Sequence, residues 1–354
     1  MKPHRFGAHR VVAPPGALPQ NAWKLDNTPR ALANEILCDV EVLNLDSASF
    51  AQIRAACADD PRKIADHISA TVRERGKQHN EVTGSGGMFA GRVAEIGEER
   101  RKTVTLREGD AIASLVSLTL TPLHLEAITD VHLASGHVRV RGKAILFESA
   151  AWTKLPDDVD ACVALAVLDV AGAPAQMHKL VKPGMTVVVI GADGKSGLLA
   201  CAAARKRLGR SGRIVGVAPN ANTDGGRLLT DGGIVDAFVE ADARDALALH
   251  EKVAAEIPQL ADLVVNCVNV DGTELGSILC AKDSGTVYFF SMNTSFTAAA
   301  LGAEGVGKEV VMIIGNGYTK NHADVALQTL RDNPAIHAYF TKHFANRQPA
   351  RTPL

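Results

Sequence analysis

Three glycines at three-residue spacing, Gly191, Gly194 and Gly197, form the pattern in this chain that speaks most directly of chemistry. Four apolar residues, Val187 to Ile190, precede them without alternation, as in a strand buried on both faces. An apolar helix opens after them through Leu198, Leu199 and Ala200. In such a strand–turn–helix the first glycine permits the tight turn. The second lets a pyrophosphate approach the backbone, and the third lets helix and strand pack closely. Phosphates would rest on free N–H groups around Lys195 and Ser196, at the positive end of the helix dipole. The spacing is GxxGxxG rather than GxGxxG, so taken alone it also fits a βα turn that binds nothing. Arg213–Val217, a second buried strand one helix length further on, favours a dinucleotide site.

Ligands of open parallel sheets bind at the carboxyl ends of the strands. Val268 and Asn269 follow the fourth strand and Ser291 and Met292 the fifth, which makes them candidates for the nicotinamide end. The second strand ends at Val217-Ala-Pro-Asn220, where an acid would mark NAD. Asn220 stands there with neither an acid nor an arginine beside it, although Arg227 follows, so these residues leave NAD and NADP both open.

The elements that must position these residues alternate. Strand 187–190, helix 195–208, strand 213–217, helix 225–231, strand 235–239 and helix 243–256 come in turn, then strand 262–267, helix 273–280 and strands 285–290 and 309–314. Alternation of this kind specifies a doubly wound parallel sheet, and Ala161 to Leu180 reads as one buried helix leading into it. The first part of the chain differs. A proline-rich arm over 1–30 precedes Glu35–Leu43, which alternates as a half-buried strand does, and residues 50–78 read as a charged helical surface excursion. A glycine-rich loop then runs into a strand within 83–97, a turn leads into another short strand within 106–113, and 138–141 and 143–147 are further strand candidates. The expected organisation is a β-rich domain over 1–155 and a dinucleotide-binding domain over 156–320. A C-terminal helix within 321–354 would pack back on the first domain and end in a frayed tail from Asn346.

Composition limits the class. The chain has 354 residues, 46% of them hydrophobic and 22% charged, with a net charge of -1. Mixed charge argues against a nucleic-acid or membrane-surface partner, and no apolar run approaches a membrane span. None of the six cysteines lies in a close cluster, and the twelve histidines, including His124, His132 and His137, show no ligand spacing. A cytoplasmic enzyme without a disulfide framework is expected.

Several stretches together resemble the medium-chain dehydrogenase/reductase superfamily: Asp39-Val-Glu-Val-Leu-Asn-Leu-Asp-Ser47, Ala90-Gly-Arg-Val-Ala-Glu-Ile-Gly97, Leu106-Arg-Glu-Gly-Asp-Ala-Ile-Ala113, Lys182-Pro-Gly184 with the glycine motif, and Asp262–Cys267. Longer blocks narrow this. Leu45–Phe50, Val82–Met88, Leu115–Leu123, Gly142–Ser149, Ala166–Gln176, Val265–Val270, Ala300–Lys308 and Met312–Lys320 are similar to the family of L-erythro-3,5-diaminohexanoate dehydrogenases. The resemblance implies a GroES-like β-rich domain before a Rossmann-type sheet, a diamino acid substrate, oxidative deamination at its 3-amino group, NAD as cofactor, and a homodimer joined through strands 286–290 and 310–314. Zinc-dependent members of the superfamily carry ligands at positions matched here by Asp46, by Gly86-Gly87-Met88 and by the region of Asp169–Gly172, so a zinc-free site is implied. Asp46 and Asp169 would then meet a cationic substrate and move its proton, and Ser47 and Ser49 would orient substrate or water. Asp46 also fits a turn cap, and Asp169 a structural hydrogen bond. Glu148 fits either the remote ammonium or a solvated strand end. A zinc-free quinone or enoyl reductase, and a nucleotide-binding protein without catalysis, are the competing readings.

Overall fold

The computed structural model describes residues 3–81, 84–315 and 317–345, which leaves part of the Val82–Met88 block, Asn316 and the tail from Asn346 outside the described residues. The chain divides into two compact units, Met1–Asp169 with the chain from His343 on, and Val170–Lys342.

The first unit contains β1 (Val11–Ala13), β2 (Lys24–Leu25), β3 (Ile36–Asn44), α1 (Ser47–Ala56), α2 (Pro61–Arg75), β4 (Met88–Ile96), β5 (Ala111–Ser114), β6 (Leu123–His132), β7 (His137–Leu146), β8 (Trp152–Lys154) and α3 (Ala161–Leu168). Strands β3 to β8 form one antiparallel sheet in the order β6-β7-β3-β4-β5-β8. A bulge sets the end of β3. Its register shifts between Val40 and Val42 against both neighbours, so Ile36, Cys38 and Val40 and then Leu43 and Leu45 enter the core cluster. Asn44 is thereby turned to the other face.

Three expectations change here. Residues 61–75 are no surface excursion: Ile64, Ile68 and Val72, spaced by one helical turn, are buried in that cluster, and α2 packs on β6. Asp60 caps its N-terminus, and Gly76 ends it in a left-handed conformation. The two strands expected within 138–147 are one, β7. The boundary lies at 169 rather than 155, because α3 packs on β3 and β4. The arm is anchored by Arg10, which is buried and bonded to both oxygens of buried Glu35, at 3.0 and 2.7 Å.

The second unit contains α4 (Gly172–Leu180), β9 (Thr186–Ile190), α5 (Lys195–Leu208), β10 (Arg213–Ala218), α6 (Asp224–Asp231), β11 (Ala237–Glu240), α7 (Ala246–Glu256), β12 (Ala261–Asn266), α8 (Glu274–Cys280), β13 (Ala281–Phe289), α9 (Phe296–Gly305), β14 (Val310–Ile314) and α10 (His322–Arg331); α11 (Pro334–Phe344) follows. The sheet is wholly parallel, in the order β11-β10-β9-β12-β13-β14, the doubly wound arrangement. Its strand order reverses between β9 and β12, which puts the glycine turn at the switch point.

The helix expected over 161–180 is two. Pro174 has no N–H to give the Val170 carbonyl, and the chain restarts as α4 after Asp169–Ala171. Within the C-terminal segment α10, which buries Ala326, Leu327 and Leu330, lies against α4 and α5, and the chain from His343 on belongs with the first unit. All six cysteines are buried free thiols. Among the described residues no single helix is long and apolar enough to cross a membrane.

Candidate active site

The three glycines of the turn after β9 meet different surroundings. Gly191 has φ 77°, and a Cβ there would stand 3.1 Å from Val268 Cγ2. A Cβ on Gly197 would lie 2.1 Å from the Gly191 carbonyl oxygen and 2.5 Å from Ala192 Cα, so this helix turn touches the strand turn backbone to backbone. Gly194, at φ -85° and ψ 172°, is exposed, and its Cβ would meet only Gly191 O, at 3.7 Å. No side chain caps α5, whose first residues Lys195 and Ser196 are half-buried. Open space above an uncapped helix N-terminus is a cradle that an anion fits.

The loops after β12 and β13 converge on this turn. Buried Asn266 donates to Thr273 and Ser277 Oγ at 2.8 and 2.9 Å and accepts from Val268 N at 2.9 Å, which fixes the backbone beside Gly191. Asn293 Nδ2 donates to the Asn269 carbonyl at 3.0 Å, and the Asn293 backbone N–H donates to Ser291 Oγ at 3.1 Å. Val268, Asn269 and Ser291 are thus held together, and Met292 beside them is 61% exposed.

At the end of β10, Asn220 Oδ1 accepts from Asn222 N at 2.7 Å, and Glu240 from the tip of β11 accepts from Ala221 N at 2.7 Å. Asp193 accepts from Thr223 Oγ1 at 3.1 Å, and Arg227 donates to Asp224 at 3.2 Å. Sequence reasoning missed Glu240, which comes from the neighbouring strand; its Cα pairing with Ala218 was the available signal once the strand order was known.

In the first unit Asp46 is the N-cap of α1, its Oδ1 accepting from Ser49 N at 2.9 Å. Ser47 is exposed in the first turn of α1, and Ser49 is buried. Asp169 ends α3, the helix packed on β3 and β4, whose ends carry Asn44 and Met88. Glu148 accepts from Asn34 Nδ2 at 3.3 Å, a contact at the strand end. Residues not singled out from the sequence lie beside these. Asn44 is 0% exposed and Gln78 1%. The next residue, His79, shares a hydrogen bond of 2.8 Å with Thr119 Oγ1, which in turn donates to the Gln78 carbonyl at 3.4 Å. Burial, helped by Lys77 and Arg75 against Glu81, holds the His79 pKa below its ordinary value. The signal that could have found Asn44 was a polar residue between Leu43 and Leu45 in an apolar run. Among the described residues no group of three or more His, Cys, Asp or Glu side chains could hold a metal ion.

Residues 9–156 match the model of the L-erythro-3,5-diaminohexanoate dehydrogenase N-terminal domain. The L-erythro-3,5-diaminohexanoate dehydrogenase of Acetoanaerobium sticklandii is 51% identical over 97% of this chain and 100% of its own length. The protein of the same name from Fusobacterium nucleatum is 46% identical over 96% of this chain and 98% of its own. Among solved structures, a quinone oxidoreductase from Coxiella burnetii superposes with a TM-score of 0.55 at 14% identity, over 88% of this chain and 87% of that one. A mycobacterial protein solved with NADPH gives 0.54 at 16%, over 88% and 83%. At such identities these two show the fold alone, an α/β architecture. Near-full-length identity at this level decides the family: the chain belongs to the L-erythro-3,5-diaminohexanoate dehydrogenases, a family of oxidoreductases.

Proposed function

We propose that this enzyme oxidatively deaminates L-erythro-3,5-diaminohexanoate at C3 with NAD, giving 5-amino-3-oxohexanoate and ammonium. The observation that carries the reading is the division of labour among Gly191, Gly194 and Gly197, in a chain of this family: one turns, one leaves open space above the helix N-terminus, one closes the packing. In that cradle the backbone of Gly194, Lys195 and Ser196 would hold the pyrophosphate, and Val268, Asn269, Ser291 and Met292 would border the nicotinamide. The cofactor supplies a hydride acceptor.

The rest is the work of the chain's own side chains. Substrate ammonium, NAD⁺ and water become ketone, ammonium, NADH and a proton. The C3 ammonium must first lose a proton, because its lone pair is what expels the hydride, and water then adds to the resulting imine. Asp46 and Asp169 supply the two carboxylates that a doubly cationic substrate needs, one as counter-ion and one as proton acceptor, with Ser47 orienting water. NAD rather than NADP is supported by Asp193, Asp224 and Glu240 around the loop carrying Asn220. Asp193 and Glu240 repel a 2′-phosphate, and Arg227 and Lys342 are both engaged by Asp224. We also read the enzyme as a homodimer. Strand β14 is the sheet edge, and Val311 and Ile314 on it and Phe296 and Leu301 on α9 are 51–73% exposed, an apolar edge that a second copy would cover.

Purified enzyme is assayed for cofactor reduction and ammonium release with the diamine and either cofactor. Equal yields of reduced cofactor and ammonium, with NAD preferred, are expected. Turnover of a quinone, with none of the diamine, overturns the reading.

A further inference from the structure

We propose that Asn44, Asp46 and Gln78 form the seat of the ammonium group that is not oxidised, the one on C5; this rests on the amine-dehydrogenase reading above. Asn44 and Gln78 are 0% and 1% exposed. Yet both ends of the Asn44 amide, Gln78 Oε1 and Asp46 Oδ2 are buried without a hydrogen-bond partner. Folded proteins seldom leave such atoms unsatisfied, and four of them on residues whose backbones meet at one loop point to a ligand that supplies the missing bonds.

Two adjacent glycines join the backbones of Gln78 and Asn44. A Cβ on Gly86 would stand 2.3 Å from the Gln78 carbonyl oxygen. One on Gly87 would stand 2.1 Å from the Asn44 carbonyl oxygen and 2.8 Å from Leu45 Cα. The dipeptide Gly86-Gly87 is thus clamped between the Gln78 backbone and the end of β3, and Asp46 follows directly. Its Oδ1 is fixed by the α1 cap, which leaves Oδ2 for a ligand.

The donor count selects the ligand. Asn44 Oδ1, Asp46 Oδ2 and Gln78 Oε1 are three acceptors, and an ammonium presents three N–H donors and a charge for the carboxylate. Because both ends of Asn44 lack partners, its oxygen is available whichever way the amide is turned. An anion is excluded by Asp46. Lys77, the nearest lysine in the chain, does not fill the seat, since its ammonium donates to the Pro19 carbonyl at 2.8 Å. A seat that stabilises the charged amine opposes deprotonation. It therefore suits the amine that stays an ammonium and not the one that must free its lone pair. Asp46 is then the counter-ion, and Asp169 is left to take the C3 proton.

The test compares L-erythro-3,5-diaminohexanoate with 3-aminohexanoate, the same chain without the remote amine, in the wild type and in Asn44→Leu, Gln78→Leu and Gln78→Glu. Wild type favours the diamine. Each leucine variant lowers the ratio of kcat/KM between diamine and monoamine by about 10–100-fold, mainly through KM for the diamine, as loss of one hydrogen bond to a charged group implies. Their melting temperatures stay level or rise, because an unpaired buried polar group has gone. Gln78→Glu, which keeps size and acceptors, holds the ratio within about threefold of wild type on the same scale. Should Asn44→Leu fail to fold, Gln78→Leu carries the test. A wild type that oxidises the diamine while the ratio is unchanged in the leucine variants overturns the seat alone. A wild type inert on both amines overturns the reaction and the seat with it.

Discussion

Replacing Gly194 by alanine separates cofactor binding from folding. The new methyl would meet no protein atom nearer than 3.7 Å, and φ -85° with ψ 172° is ordinary extended backbone for any residue. Folding therefore costs nothing in strain, and restricting the unfolded chain should raise stability by about 0.4–1 kcal/mol. The same methyl projects into the space above the α5 N-terminus. A pyrophosphate oxygen displaced from the backbone there loses one charge-assisted hydrogen bond, about 1.5–3 kcal/mol, or roughly 10–150-fold in affinity. Gly197→Ala is the contrasting variant. Its Cβ would lie 2.1 Å from Gly191 O, so helix and turn must part, and stability and binding fall together. Thermal melting and titration with reduced cofactor, followed by its fluorescence, read both quantities. A Gly194→Ala enzyme that binds cofactor as tightly as wild type would refute the placement of the pyrophosphate. One that melts lower would refute the open space.

Glu35→Gln should cost about 3–5 kcal/mol in chemical denaturation, because it leaves buried Arg10 with only the half-exposed carboxylate of Asp26, at 3.3 Å, as a charge partner. Burial pushes the Glu35 carboxyl up, but bonds from His9, Arg10 and the Leu32 N–H outweigh it and hold the pKa below 4.5; its contribution is complete above that pH and fades as pH falls through the lowered value. Burial, and then Arg75, push Lys77 down to about 8 from 10.5, so the unfolded chain binds more protons between those values. Stability should climb across that interval, and the climb should vanish in Lys77→Met; a pH-independent wild type would contradict it. Val311→Lys on the β14 edge should convert a dimer to a monomer by light scattering, and a wild type already monomeric at micromolar concentration would dispose of the dimer.

The parallel sheet was legible because its strands are buried on both faces and read as unbroken apolar runs, Val187–Ile190 and Val264–Val265 among them. What escaped had weaker local signals. Strand β6, Leu-His-Leu-Glu-Ala-Ile-Thr-Asp-Val-His, is half solvated along most of its length, so neither a run nor a clean alternation marks it. Helix α9 is rich in alanine and glycine, with only Ala299 and Ala303 buried, and offers no apolar stripe. The Gly191–Gly197 turn could be read from spacing alone. The Asn44–Gln78 pair could not, because it exists only where a bulge at Val40–Val42 turns Asn44 over and a distant loop closes on it.

That loop is also held so closely to the end of β3 that its tip has no room for a side chain. Gly87 stands at the point of contact. It has φ 78°, and a side chain there would begin 2.1 Å from the Asn44 carbonyl oxygen. No side chain can be placed there by substitution without prising the loop from the end of β3. Moving the loop would in turn disturb the Leu118 N–H bond to the Gly87 carbonyl and the Gly86 N–H bond to Ser117, and with them the wall that buries Gln78 and Thr119. The bare glycine and the buried amides of Asn44 and Gln78 are therefore two sides of one packing arrangement. Side chains that present hydrogen-bond acceptors are what a substrate with two ammonium groups requires.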